Sequence, residues 1–305
     1  METSKLNIVT GAFSYTGKYI TQQLLSMGEE VRTLTSQPDR ENPFGHQVKA
    51  VPFNFDKPEE LLESLRGAKT LYNTYRVRYP HGQLSFDKAV ENNRTLIAAA
   101  EEAGIRRIVH ISITNPSEGS PFPYFRGKAL VEKAIIQSKL SYAITRPTVI
   151  FGPEGILMNN IAWLLRKFPI FAVPGSGDYR IQPVFVEDVA EIAVRAGHQD
   201  DNIVLDAVGP ETYTFGKLVR MIASQINSRA RIIHVGPWLA LFLARLIGYT
   251  VRDVVITRDE IEGLMSNLLV SEGHPTAQTR FSEWLSHNAD NIGIKYISGL
   301  RRSYC

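Results

Sequence analysis

The chain has 305 residues, 44% of them hydrophobic, with 34 basic and 31 acidic side chains and a formal net charge of +3 at pH 7. That content suffices for one large core or two unequal ones, and cations scattered along the chain give no electrostatic footprint for nucleic acid. The one cysteine, Cys305, excludes an internal disulfide, speaks against a thiol nucleophile or a cysteine-rich metal site, and fits a reducing cytoplasm, the location expected here.

The opening METSKLNIVTG runs into the apolar residues Leu6, Ile8 and Val9 without the order of basic, apolar and small residues that marks a signal peptide. After Thr10 comes Gly11. From Gly17 onward Ile20, Leu24 and Met27 recur at helical spacing until Gly28 stops them, which predicts a strand, a tight glycine turn and a helix. A glycine in such a turn lets the backbone approach a phosphate, and the helix N-terminus supplies N–H donors for a pyrophosphate. Gly11, Phe13, Ser14, Tyr15, Thr16 and Gly17 are therefore candidate cofactor-binding residues. Ser14 stands where the middle glycine of a Gly-x-x-Gly-x-x-Gly turn is expected; its hydroxyl can donate to a phosphate oxygen while its side chain narrows the approach.

Further strands are predicted over Glu30–Leu34, Gln47–Phe53, Thr70–Tyr75, Arg107–Ile113 and Ser141–Arg146, with helices at Pro58–Leu65, Phe86–Ala103 and Tyr124–Gln137. Alternation of this kind implies an α/β fold, a Rossmann-type doubly wound parallel sheet with ligands at the carboxyl ends of its strands. Those ends carry Thr10–Gly17, Ser36, Asn54–Asp56, Thr74–Tyr75 and Ser112–Thr114. After Pro153 the alternation loosens into a helix at Ile156–Lys167, a turn at Pro174–Gly177, and a strand and helix within Pro183–Ala196; from Tyr213 the pattern is mostly helical. The expected organisation is a dinucleotide-binding domain over 1–152, rejoined by about 183–208, and a smaller, mostly helical lobe within 153–305. The apolar stretch Trp238–Ile247 contains Arg245 and is too short to span a bilayer, so it is expected to be a buried helix of that lobe.

Tyr124 and Lys128 are four residues apart, on one face of a predicted helix. Free tyrosine, with a pKa of about 10, is a poor base at neutral pH. A neighbouring ammonium favours the phenolate and brings it toward working range. Thr114, in HISIT at the end of the fifth strand, offers a hydroxyl for a substrate carbonyl, with Ser112 as the nearby alternative.

The order of TGAFSYTG (Thr10–Gly17), YFRGK (Tyr124–Lys128) and RPTVIFGP (Arg146–Pro153) resembles the short-chain dehydrogenase/reductases of the extended or atypical kind. The family's triad implies Tyr124 as acid/base, Lys128 on the nicotinamide ribose and Thr114 orienting the substrate oxygen. The spacing departs from the extended members, because only ten residues separate Thr114 from Tyr124. FPIFAVPGSGDYRIQPVFVEDVAEIA, DAVGPETYTF and TRDEIEGL extend the likeness to the subgroup that includes the accessory NAD(P)H-binding subunit of complex I, NmrA-like proteins and NAD-dependent epimerase/dehydratase-like proteins. The resemblance implies an NAD(P)(H)-binding oxidoreductase or epimerase acting on a carbonyl or sugar-type small molecule, or else a non-catalytic NADP(H)-binding sensor or assembly subunit.

The second strand ends in VRTLTSQPDR, where relatives preferring NAD place a carboxylate against the ribose hydroxyls; Thr35 and Ser36 stand there instead, with Arg32 and Arg40 nearby, which favours NADP(H). Phe55, Asp56, Thr74 and Pro147 complete the candidate cofactor residues, Asp56 reading equally as a helix N-cap before Pro58. In the second lobe Arg180 sits near a position that contacts a diphosphate in relatives, offset by one residue. Asn159, Asn160 and Arg166 are candidate cleft residues, Arg166 reading also as an exposed charge. His81, His110 and His234 have no metal-ligand spacing, and Asp259 and Glu260 read as a helix start or a salt-bridge pair.

Overall fold

The computed structural model describes residues 5–80, 82 and 84–300; His81 and Cys305 lie outside the described residues. The chain begins with β1 (Leu6–Thr10), α1 (Tyr15–Ser26), β2 (Glu30–Thr35), β3 (Val48–Pro52), α2 (Pro58–Leu65), β4 (Thr70–Asn73), α3 (Phe86–Glu102), β5 (Arg107–Ile111), α4 (Pro123–Ile136) and β6 (Ser141–Pro147). It continues through β7 (Val149–Phe151), α5 (Ile156–Lys167), β8 (Ile170–Pro174), β9 (Arg180–Ile181), β10 (Pro183–Phe185), α6 (Val186–Gly197) and β11 (Ile203–Ala207). It ends with β12 (Tyr213–Thr214), α7 (Phe215–Gln225), β13 (Arg231–Val235), α8 (Pro237–Val251), α9 (Arg258–Met265) and α10 (Phe281–Asn288). The described residues form two compact units, one up to Pro147 with Val189–Leu205, the other Thr148–Asp188 with the residues from Asp206 on.

The first unit is built on a seven-stranded sheet in the order β11-β6-β5-β4-β1-β2-β3, with all pairings among β1 to β6 parallel. This is the Rossmann-like doubly wound α/β architecture. Every residue of β4 and β5 is buried, as expected of parallel strands covered by helices on both faces. Ile8, Leu34, Leu71, Ile108 and Ile144 from the strands meet Leu61, Leu65, Leu96, Val131 and Ile135 from α2, α3 and α4 in one core. The chain winds outward from β1 through β2 on one side and through β4 on the other, so the order reverses at β1/β4 and opens a crevice beyond their carboxyl ends.

Three strands are shorter than the sequence predicts, β3 by one residue at each end. β4 stops at Asn73 because the next amides turn to side chains: Thr74 N–H donates to Thr10 Oγ1 at 2.7 Å and Tyr75 N–H to Asn73 Oδ1 at 3.0 Å. β5 is regular as far as Ile111, and beyond it Ser112 and Thr114 still donate their amides to the Thr145 and Pro147 carbonyls of β6.

The second unit has a core of Phe151, Ile161, Leu165, Phe171, Val173, Leu218, Ile222, Phe281 and Leu285, contributed by α5, α7, α10 and short strands. Thr257 caps α9 in a capping box with Glu260, whose carboxylate accepts from the Thr257 amide, so the TRDE segment is a helix start. The expected buried helix at Trp238–Ile247 is corrected. In α8 only Ala240 and Gly248 are buried, while Trp238 is 74% and Tyr249 84% exposed. The helix turns Ala240 and Gly248 inward and Trp238, Phe242, Leu246 and Tyr249 out, with its other leucines half-buried, which apolar composition without a clear period did not reveal.

Candidate functional site

The turn after β1 takes its shape from two glycines. Gly11 has φ +66°, in the left-handed region, and its amide donates to the Leu34 carbonyl at 2.7 Å. Gly17 lies in the first turn of α1 against this loop, where a Cβ would fall 2.2 Å from the Gly11 carbonyl oxygen. Ser14 is the N-cap residue of α1, but its hydroxyl donates to the Gly11 carbonyl at 2.6 Å and caps no helix amide. Thr74 reaches the same loop, donating its hydroxyl to the Thr10 carbonyl at 2.5 Å. A glycine turn ending in a helix N-terminus without a side-chain cap, at the switch point of the sheet, fits a dinucleotide pyrophosphate.

The second-strand candidates separate. Ser36 and Arg40 are exposed just past β2. Arg32 is instead occupied, with its guanidinium donating to the Ser64 carbonyl at 2.7 Å near the end of α2, which removes it from the ribose position. Asp56 is exposed in a turn, and the N-cap of α2 is Lys57 without a side-chain cap bond, so the capping alternative for Asp56 does not hold. Phe55 belongs to an aromatic group with Phe53 and Tyr75, ring centroids 4.9–5.2 Å apart, beyond β3 and β4. Phe13 faces Phe44 at 6.5 Å. Tyr15 is buried, Thr16 half-buried, and Pro147 buried at the end of β6.

Around Tyr124 the arrangement becomes chemical. The buried residues of α4 are Phe125, Lys128, Val131, Glu132 and Ile135, a single helical stripe in which two positions are charged. Tyr124 and Lys128 line one cleft with Tyr75, Arg76, Phe86 and Asn93. Lys128 donates to the Ile111 carbonyl at 2.7 Å, which leaves two of its three protons for other acceptors. Burial is the main influence on its ammonium and lowers its pKa below the usual lysine range, with Tyr124 and Glu132 partly opposing. For Tyr124, burial would raise the pKa, but the Arg76 and Lys128 charges, a hydrogen bond with Arg76 and the Arg78 charge together outweigh it and hold the phenol below the ordinary tyrosine value.

Arg76 and Arg78 were missed in the sequence. Their signal was an Arg-x-Arg pair directly beyond β4, at the carboxyl edge where the topology places ligands. A buried polar network supports that edge: Asn73 donates to Asn93 at 2.7 Å, and Asn92 donates to the Tyr75 hydroxyl at 2.8 Å. Ser112 is bound to Glu132, whose carboxylate also accepts from Arg146 Nη2 at 2.5 Å, so Ser112 is committed to the scaffold and is not the alternative to Thr114. The Thr114 side chain is fully buried.

In the second unit four candidates have structural partners. Asn159 donates to the Lys295 carbonyl and accepts from the Gly293 amide, and Asn160 bonds both backbone groups of Ile297; the pair anchors the C-terminal segment. Arg166 donates to the Ala289 and Ile292 carbonyls after α10. Arg180 forms an exposed ion pair with Glu272 at 2.8 Å. Among the described residues no group of three His, Cys, Asp or Glu side chains could hold a metal ion.

Residues 11–155 match a family model described as NAD(P)H-binding. The chain carries an NAD(P)H-binding domain. It is 26% identical over 283 residues to the mitochondrial NADH dehydrogenase [ubiquinone] 1 alpha subcomplex subunit 9 of Arabidopsis thaliana, covering 87% of this chain and 70% of that protein. It is 22% identical over 246 residues to the photosystem II assembly factor Ycf39 of Cyanidium caldarium, covering 79% and 78%. The Citrobacter sp. triphenylmethane reductase complexed with NADP(H) shares the fold, with a TM-score of 0.77, 16% identity and coverage of 93% of this chain and 99% of that one. These relatives accord with the resemblance to atypical short-chain dehydrogenase/reductases. No described helix is long and apolar enough to cross a membrane.

Proposed function

We propose that the chain is an NADP(H)-dependent oxidoreductase or epimerase that acts on a carbonyl or sugar-type small molecule through Tyr124 and Lys128. The observation that carries this reading is the half-buried Tyr124 phenol in a cleft with Arg76 and Lys128, two cations that favour its phenolate. The dinucleotide would lie along Gly11–Gly17, with Ser36 and Arg40 toward the 2′-phosphate, Phe55 and Asp56 toward the adenine, Thr74 and Pro147 along its length, and Lys128 on the nicotinamide ribose. When bound it supplies or accepts hydride. Tyr124 delivers or removes the proton at the substrate oxygen, and Arg76 keeps the phenol near working pH. Arg76 at the cleft, with the Arg78 charge acting on the same phenol, suits a substrate that carries negative charge. Thr114 would orient the substrate oxygen from the end of β5. The lone cysteine fits the reducing cytoplasm as the place of action.

A second reading, a nucleotide-binding sensor or assembly subunit without turnover, is favoured by the full burial of Thr114 and the commitment of Ser112 to Glu132, which leave the substrate oxygen without a ready hydroxyl partner. The test is NADPH oxidation by the purified chain against a panel of carbonyl and nucleotide-sugar substrates, with Tyr124→Phe as the control. Turnover lost in the variant supports the enzyme. Tight NADPH binding with no turnover on the whole panel supports the subunit.

A further inference from the structure

The second unit carries a feature that nucleotide chemistry does not use. Between Glu211 and Asp253 the sequence has no acidic residue, although 31 of the 305 residues are acidic. It has six cations, Lys217, Arg220, Arg229, Arg231, Arg245 and Arg252, and all six are exposed. Among the described residues none of them takes part in an ion pair. This one-signed stretch ends in α8, whose outward face holds Trp238 (74% exposed), Phe242 (52%), Leu246 (48%) and Tyr249 (84%). At 100° per residue these four fall within about 80° of arc, and Arg245 lies on one border of that stripe. The inward side is Ala240 and Gly248, and Gly248 could not carry a Cβ without meeting the Asp253 carbonyl oxygen at 2.7 Å. The helix therefore packs closely along Gly248, and the four large side chains lie on the other side.

The strand directly before α8 repeats the pattern. β13 pairs in parallel with β8, Arg231 opposite Ile170 and Ile233 opposite Ala172. Phe171 and Val173 face the core, while Ile170 and Ile233 are exposed at 51% and 40% on the other face, beside Arg231.

Four large apolar side chains held in water on one helix face are unusual for a surface without a partner. Tryptophan and tyrosine together with arginine, in a stretch of sequence without carboxylates, are the side chains that settle at the headgroup level of a bilayer containing anionic lipid, whereas an apolar protein partner would have no need of the unpaired cations. We propose that α8 is a membrane-surface helix that lays Trp238, Phe242, Leu246 and Tyr249 into the headgroup region of an anionic bilayer, with Arg245 and the neighbouring exposed arginines on the lipid phosphates. The helix of 15 residues lies on the surface and does not cross.

The test is co-sedimentation of the full chain with vesicles of phosphatidylcholine alone and of phosphatidylcholine with a quarter phosphatidylglycerol, at low and at high salt. The protein should sediment with the anionic vesicles only, weaken with salt, and show a blue-shifted tryptophan emission that Trp238→Phe removes. Arg245→Gln should weaken binding by roughly fivefold, the equivalent of about 1 kcal/mol for one surface arginine. Phe242→Ser with Leu246→Ser should abolish it; both residues are exposed, and an unchanged Tm verifies the fold. Absence of binding to anionic vesicles, or equal binding by the double variant, overturns the proposal. So does a dimer in solution that the double variant converts to monomer, which would mean that a second copy covers this face.

Discussion

A Cβ placed on Gly17 would fall 2.2 Å from the carbonyl oxygen of Gly11, so the first turn of α1 and the loop after β1 are packed backbone to backbone. The contact holds the loop low over the helix N-terminus and keeps the crevice open above it. Gly17→Ala forces the two apart, at a cost of about 1–3 kcal/mol for overpacking. A lower Tm and weaker NADPH binding should appear together in a thermal-shift series with and without nucleotide. An alanine variant as stable and as tight as the parent would show that the contact is not needed.

Gly11→Asp acts on the ligand more than on the fold. It adds a side chain at φ +66°, a conformation costing about 1–2 kcal/mol, and puts a negative charge where the pyrophosphate approaches. Calorimetric titration should find no dinucleotide affinity in a variant that is still folded by circular dichroism.

Cofactor preference turns on the exposed end of β2. With Ser36 and Arg40 there and no carboxylate, NADPH should bind more tightly than NADH, and Ser36→Asp should reverse the order by charge repulsion. Arg32→Gln should leave the preference unchanged, since its guanidinium is spent on the Ser64 carbonyl. Equal affinities in the unmodified chain would remove the basis for this prediction.

His110 gives the protein an acid-sensitive core. It is fully buried on β5, neither ring nitrogen meets a partner in hydrogen-bond geometry, and burial together with the Lys128 charge holds its pKa well below the ordinary range, against a small opposing effect of the Asn73 backbone. The unfolded chain takes up a proton near pH 6.5 that the folded chain refuses. Stability from this group is thus complete above about pH 6.5 and falls below it, by about 1.4 kcal/mol per pH unit until the folded pKa is reached. Urea unfolding between pH 7.5 and 5 should show this slope, and His110→Asn should flatten it. An unchanged slope in the variant would assign the acid sensitivity to other groups.

The sequence was most legible where local chemistry decides the structure. Pro58 with the apolar period after it bounds α2, and the helix start read at Asp259 and Glu260 is the first turn of α9. It was least legible where partners are far apart along the chain. Nothing local tells that Ser112 will be held by Glu132, that Arg32 will cap the end of α2, or that Asn159 and Asn160 will bind backbone some 135 residues later. Arg76 escaped notice because its importance comes from meeting Tyr124 across the cleft, and α8 was misjudged because a helix apolar on every side does not say which side is covered.

The central claim is that Tyr124 transfers a proton beside a bound dinucleotide, and Tyr124→Phe tests it with the least disturbance, because it removes one oxygen from a half-buried ring. NADPH affinity and NADPH oxidation should be measured side by side in the parent and the variant, together with Arg76→Gln, which should move the activity profile to higher pH by releasing the phenol toward its ordinary pKa. Affinity in Tyr124→Phe should be unchanged and the rate lower by about 10²- to 10⁴-fold. Undiminished turnover in that variant would contradict the central claim.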